Sequence, residues 1–235
     1  MYTLLKSEVG PWPSPVFPAG VDLELEASRS RRRMYPVTLI YSAALLGLLA
    51  LAWSESQLPR ALAFALGGLA LWTFMEYAVH RWLLHVAFPR RRSLPSRVLH
   101  VLFDASHADH HAKPWDGYHI NGHLDTLWVA VWAIPLSLLA PPFTASLVVT
   151  GLFAAYAAEE WAHHAMHFSN HPWRYFQYLR RRHLYHHSQH GVGTSYGITS
   201  DFWDKVFGTR IPLPQRERLL PPRAGRRTAA VAAQP

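Results

Sequence analysis

Ten of the sixteen histidines in this 235-residue chain fall into four groups: His80-x4-His85, His107-x2-His110-His111, His163-x3-His167 and His183-x2-His186-His187. The H-x2-HH pattern occurs twice, each time beside a hydrophobic segment. Neutral imidazole is a borderline-soft ligand suited to zinc, copper, iron and nickel. Ten such nitrogens divided between two ions give about five each, which leaves room for water, oxygen or substrate; open positions mark catalytic sites, closed shells structural ones. The chain has no cysteine, which excludes thiolate zinc sites, disulfide frameworks and cysteine-ligated iron–sulfur clusters. It also has no Gly-rich phosphate loop, Walker motif or Ser-His-Asp order.

Spacing decides which rings can share an ion. On a helix, residues i and i+4 lie one above the other and i+3 lies close by. His107, His110 and His111 therefore fall within about 100° of arc, as do His183, His186 and His187, and His163 and His167 form a clean i, i+4 pair. His80 and His85 are five apart, about 140° around an ideal helix; they either serve different ions or sit where the helix unwinds. His100, His171 and His190 have no partner spacing and read as interfacial or supporting residues. His164 faces about 100° away from His163, and His119 and His123 are either accessory ligands or ordinary surface residues. Glu76 and Glu159 each precede a histidine, His80 and His163, by four residues. Each either accepts the ligand's other ring N–H or reaches to water at a helix end. Asp116, Asp201 and Asp204 are similar candidates.

The elements that must position these groups are apolar. Half of the residues are hydrophobic and 16% are charged, below the roughly 25% usual for soluble domains. Four stretches, Met34–Trp53, Arg60–Val79, Leu124–Pro141 and Phe143–Ala162, approach the roughly 20 residues that a spanning helix needs. Short links at Ser54–Pro59 and Pro141-Pro142 predict two helical hairpins. The prediction is an all-α integral membrane protein with four transmembrane helices, an N-terminal arm over 1–33, a catalytic unit over 34–211 and a disordered tail over 212–235. The arginines at 29 and 31–33, 81, 90–92, 174 and 180–182 all fall on the histidine side of the spans. The positive-inside rule then places both termini and the histidines in the cytoplasm. That topology explains the net charge of +8 more simply than nucleic-acid binding, for which no motif is present.

Together these residues resemble the fatty acid hydroxylase superfamily, and its fatty acid 2-hydroxylase branch in particular. The resemblance covers about residues 35–210. It rests on Glu76-Tyr77-x2-His80-Arg81-x3-His85, His107-x2-His110-His111-x-Lys113-Pro114-x-Asp116-Gly117, His163-x3-His167, and His183-x2-His186-His187 with Tyr196–Ser200 and Trp203–Thr209 after it. It implies a four-helix membrane base under a cytosolic helical cap that holds two metal ions on the ten histidines. The implied metal is iron, with zinc possible in isolated protein, and the implied reaction is O2-dependent hydroxylation of a lipid acyl chain. Relatives often carry a fused haem domain, for which this chain has no room, so electrons are expected from a separate ferredoxin-like or haem carrier. Hydroxylation or desaturation of a sterol or carotenoid is the alternative within the same chemistry. A metal-transport or metal-binding membrane protein is the alternative outside it; transport predicts ligands at mid-membrane, whereas these histidines lie at span ends and beyond.

Overall fold

The computed structural model describes residues 19–86, 88, 93–120, 133–135, 138, 139, 144–188 and 190–219. These residues are helical with connecting turns, and no strand occurs among them. Helix α1 spans Leu23–Ser54 and α2 spans Leu58–Val79. A π-helical turn, His80–Leu84, continues α2. Helix α3 (Leu94–Leu99) leads through a second π turn (His100–Asp104) into α4 (Ala105–Ala112). Helix α5 spans Ala145–Phe168 and α6 spans Arg174–His186. The short helices α7 (Phe202–Val206) and α8 (Leu213–Leu219) close the described chain.

Helix α1 begins well before the expected span start at Met34. The Asp22 carboxylate caps it, accepting from the backbone N–H groups of Glu24 and Leu25 at 3.0 and 3.1 Å, which satisfies donors that a helix start otherwise leaves unpaired. The arm expected over 1–33 is therefore helical from Leu23 on. This first part is docked: the buried Glu26 carboxylate accepts the Gly117 N–H at 3.0 Å, and Ser30 Oγ lies 2.8 Å from His164 Nδ1. The tail expected from residue 212 also starts ordered, because α8 buries Leu219 against Tyr185 and Ile211.

α1 and α2 form an antiparallel hairpin that turns at Ser56, whose φ is +56°, with Pro59 in the first turn of α2. Both are long and apolar enough to cross a membrane. Leu39, Leu46 and Leu66 are 69%, 65% and 61% exposed on them, an outward apolar surface that suits lipid and not water. The expected third span, Leu124–Pro141, lies largely outside the described residues. The fourth falls on α5, which carries Glu159, Glu160 and three histidines in its second half and does not reach the apolar character of the other two.

α5 packs against both hairpin helices. Met34, Val37 and Tyr41 of α1 meet Tyr156 and Ala157; Ala52, Ala61 and Ala65 meet Leu147. The α2–α5 approach is close enough to need glycine. A Cβ on Gly68 would lie 2.1 Å from the Val148 carbonyl oxygen, and one on Gly151 would lie 2.3 Å from that of Ala65. Small residues at a helix interface permit such backbone contact in apolar surroundings. This packing brings His80, just after α2, and His163, in the last third of α5, to the wall of one cavity.

Candidate metal centre

The ten histidines converge in two groups of five. His80, His85, His107, His111 and His186 form one; His110, His163, His167, His183 and His187 form the other. Within each group one ligand-capable atom per residue lies within 4.8 Å of all the others. Each H-x2-HH box is shared between the groups. On α4 the i, i+4 pair His107/His111 faces the first group and His110 the second; at the end of α6, His183/His187 face the second and His186 the first. His163 and His167 contribute a third i, i+4 pair. Rotation around one helix thus aims adjacent rings at neighbouring sites.

The five-residue spacing of His80 and His85 is resolved by the π turn. Its hydrogen bonds run from i to i+5, so residues five apart share a face. Both rings enter the first group, with Nε2 atoms 3.3 Å apart. Of the two readings left open by the sequence, separate ions or an altered helix, the second describes the geometry.

The donor set fits metal ions on chemical grounds. His80 Nδ1 lies 2.5 Å from the Tyr196 carbonyl oxygen, and His186 Nδ1 lies 2.6 Å from that of Thr194. A carbonyl only accepts, so both Nδ1 atoms carry the proton and both Nε2 lone pairs face inward. His85 Nε2 sits 3.3, 3.0 and 3.0 Å from the Nε2 atoms of His80, His186 and His107. One N–H can serve only one of these three. In the second group His183 Nε2 is likewise 3.0, 2.8 and 3.0 Å from His163, His167 and His187. A cation satisfies all of these lone pairs at once. With a metal–imidazole bond of about 2.0–2.1 Å, neighbouring donors at octahedral or tetrahedral angles lie about 2.8–3.4 Å apart, and the separations just given fall in that range.

Electrostatics keep the rings neutral, as ligands must be. Burial pushes His85 down to about 2, reinforced by neighbouring His80, and burial likewise holds His167 and His186 at about 3. His110, His111, His183 and His187 are also held well below the ordinary histidine value, first by burial and then by surrounding imidazoles.

The support around the rings differs from the sequence expectation. Glu76 does not take the His80 ring N–H, which goes to the Tyr196 carbonyl. Instead its buried carboxylate accepts from the backbone N–H of Ile198, from that of Thr199 at 2.9 Å and from the Thr199 hydroxyl at 2.5 Å. Asp204 holds the other side of the same loop. It accepts from the N–H groups of Tyr196 and Gly197 at 2.9 and 3.0 Å, from Thr209 Oγ1 at 2.7 Å, and from Arg182 in a buried ion pair of 2.9 Å. Ser195, at φ +61°, adopts the left-handed conformation that is rare outside glycine and sits between the two carbonyls that orient His186 and His80. No sequence signal marks these carbonyls, because every residue has one.

The other candidates are more peripheral. Asp116 accepts from Tyr118 N at 2.9 Å and lies 3.8 Å from His119; Asp201 pairs with Arg210 and accepts from the Tyr178 hydroxyl. His164 contacts Ser30, His171 accepts from Trp173 N, and His190 is exposed. Neither these nor His100 and His119 join either group; His123 lies outside the described residues. No hydrogen bond joins Glu159 to His163.

A cavity of about 340 Å³ opens between α2 and α5 on to both groups. His80 and His107 line it from the first group, His163 and His183 from the second, and the rest of its wall is largely apolar, including Met75, Leu83, Phe103 and Leu152.

Residues 65–209 match the fatty acid hydroxylase family, and the chain belongs to that family. It is 34% identical over 145 residues to the dihydroceramide fatty acyl 2-hydroxylase FAH2 of Arabidopsis thaliana, covering 60% of this chain and 58% of that protein. With the ceramide very long chain fatty acid hydroxylase scs7 of Schizosaccharomyces pombe it shares 32% identity over 155 residues, 65% of this chain and 44% of the other. The mouse fatty acid 2-hydroxylase is 30% identical over 148 residues, 62% of this chain and 38% of that one. The matched stretch thus spans about half, or less, of these relatives. A solved structure of full-length scs7p, with only the hydroxylase domain visible, superposes with a TM-score of 0.62 at 29% identity, covering 76% of this chain and 67% of that one.

Proposed function

We propose that this chain hydroxylates the acyl chain of a membrane lipid at the carbon next to the carbonyl, using O2 and electrons delivered by a separate ferredoxin-like or haem carrier. The observation that carries the proposal is the pair of five-histidine groups opening together on one apolar cavity. The names of the relatives, fatty acid and dihydroceramide fatty acyl 2-hydroxylases, support the position and the substrate class.

In this reading each group holds one iron ion, and the ions supply O2 activation, which no side chain provides. The protein does the rest. The cavity admits the methylene chain and excludes water from the reacting end. Tyr196 and Thr194 fix the proton of His80 and His186 on Nδ1, so both Nε2 atoms stay available. Glu76 and Asp204 hold the loop that carries those carbonyls. Exposed basic residues such as Arg29, Arg32, Lys113 and Arg174 form the face on which an acidic electron carrier docks by steering. The helical unit is embedded through its apolar spans, with the histidine end in the cytoplasm.

The test is expression in a host without hydroxylated lipids, followed by mass spectrometry of its acyl chains. Wild type yields 2-hydroxy chains. The His110→Ala/His186→Ala double variant removes one donor from each group and loses both product and bound metal. Product from the double variant, or altered sterols or carotenoids in place of hydroxy acids, contradicts the proposal.

A further inference from the structure

Two carboxyl groups line the apolar cavity, Glu76 and Glu159. They differ in what they do. Glu76 is committed to Ile198 and Thr199. Glu159 is only 5% exposed, and none of the hydrogen bonds or ion pairs among the described residues involves it. Burying such a group without a partner costs about 1–3 kcal/mol or more, so its place in the wall calls for a ligand. Trp72 also lines the cavity, but its indole N–H is covered by surrounding protein. Glu159 stands one helical turn before His163, a member of the second group.

The proposed reaction, on which this inference rests, creates a need for such a group. The carbon adjacent to a carbonyl reaches the histidine groups only if the carbonyl end lies within one or two bonds of them. That end is polar, and apart from Glu159 the wall offers it the histidines, Tyr156 and the Glu76 carboxylate that Ile198 and Thr199 already engage, among largely apolar residues. We infer that Glu159 anchors the linking group of the acyl chain, and so determines which carbon faces the histidine groups. An amide can pair with a carboxyl in either state: its carbonyl accepts from the acid form and its N–H donates to the carboxylate. A chain without this anchor slides along an apolar wall that holds no register.

Glu159→Leu and Glu159→Gln separate the anchor from bulk and shape. The first readout is binding to the metal-free protein in detergent, with an N-octanoyl amino alcohol as probe and a plain hydrocarbon of equal length as control. The leucine variant weakens the amide about tenfold, the equivalent of one hydrogen bond of about 1.4 kcal/mol, and leaves the hydrocarbon unchanged; the glutamine variant stays within about threefold of wild type on both probes. The second readout is product position in the metal-loaded enzyme. Glutamine keeps the hydroxyl on carbon 2, while leucine raises KM and spreads the product to neighbouring carbons at unchanged metal content. If leucine binds the amide as wild type does and still yields only the 2-hydroxy product, the anchor is wrong and the hydroxylase reading stands. If wild type binds the amide tightly but makes no 2-hydroxy product, the hydroxylase reading fails, and the binding comparison still decides the anchor.

Discussion

At the scale of single residues, the histidines are held by groups that bind no metal themselves. Asp204 is the clearest case, joining buried Arg182, two loop N–H groups and Thr209 while Tyr196 in the same loop orients His80. Removing its charge leaves Arg182 buried without its partner, a loss of about 3–5 kcal/mol. Asp204→Asn is therefore expected to lower thermal stability and to release metal from the His80 group before the His110 group. Metal equivalents per chain, measured alongside the melting temperature, check this; an equal loss from both groups would contradict it. The buried rings also predict a pH dependence. His85, His167 and His186 titrate at about 2 to 3 in the folded chain against about 6.5 unfolded. Below about pH 6.5 the unfolded state binds more protons, so stability falls as pH drops, by up to about 1.4 kcal/mol per pH unit for each ring. Chelator-treated protein should melt progressively lower from pH 7 to pH 5. A flat profile would mean that the rings are not buried in the neutral form.

At the scale of elements, two adjacent glycines in α2 give opposite expectations. Gly68 meets the Val148 and Leu152 backbone, whereas Gly67 has nothing within 4 Å of its Cβ position. Gly68→Val forces α2 and α5 apart and is expected to cost about 1–3 kcal/mol or more, with loss of metal because His80 and His163 ride on those helices. Gly67→Ala removes helix-destabilising freedom and is expected to be neutral or to stabilise by up to about 1 kcal/mol. Thermal melts and metal content of the two variants decide the matter; equal effects would refute the packing described here. Elements also show what could be read from the chain. The pairs His107/His111, His163/His167 and His183/His187 follow from the 3.6-residue period, and the two rings of each pair fall in the same group as that period requires. The π turn at His80–Leu84 was not legible: no local pattern marks it, and the His80 ring it carries meets the Tyr196 carbonyl, a contact 116 residues distant. The early start of α1 was hidden for a similar reason. Residues 23–33 carry no continuous apolar pattern, and their helix is fixed by the Asp22 cap and by docking of Glu26 on Gly117.

At the scale of the whole molecule, the two ends of the α1–α2 hairpin are chemically unlike. α2 has 22 residues, about 33 Å at 1.5 Å each, against a hydrocarbon thickness of about 30 Å. It is therefore long enough for its start and its histidine end to reach opposite faces of a bilayer. The turn near Glu55 carries little positive charge, whereas the histidine end gathers Arg29, Arg31, Arg32, Arg33, Arg81 and Arg180–Arg182. Arginine is retained on the cytoplasmic side, so the proposed orientation has the histidine end in the cytoplasm, facing the proposed electron carrier. The cysteine-free sequence makes this directly testable. Glu55→Cys and Lys113→Cys place single thiols at exposed positions on the two ends. A membrane-impermeant maleimide applied to intact cells should label the variant at 55 and spare the one at 113, and permeabilisation should expose both. Labelling of 113 alone would invert the topology and strand the centre away from cytoplasmic reductant. Labelling of both in intact cells would mean that the hairpin does not separate two compartments, and the long apolar faces of α1 and α2 would then need a protein partner in place of lipid.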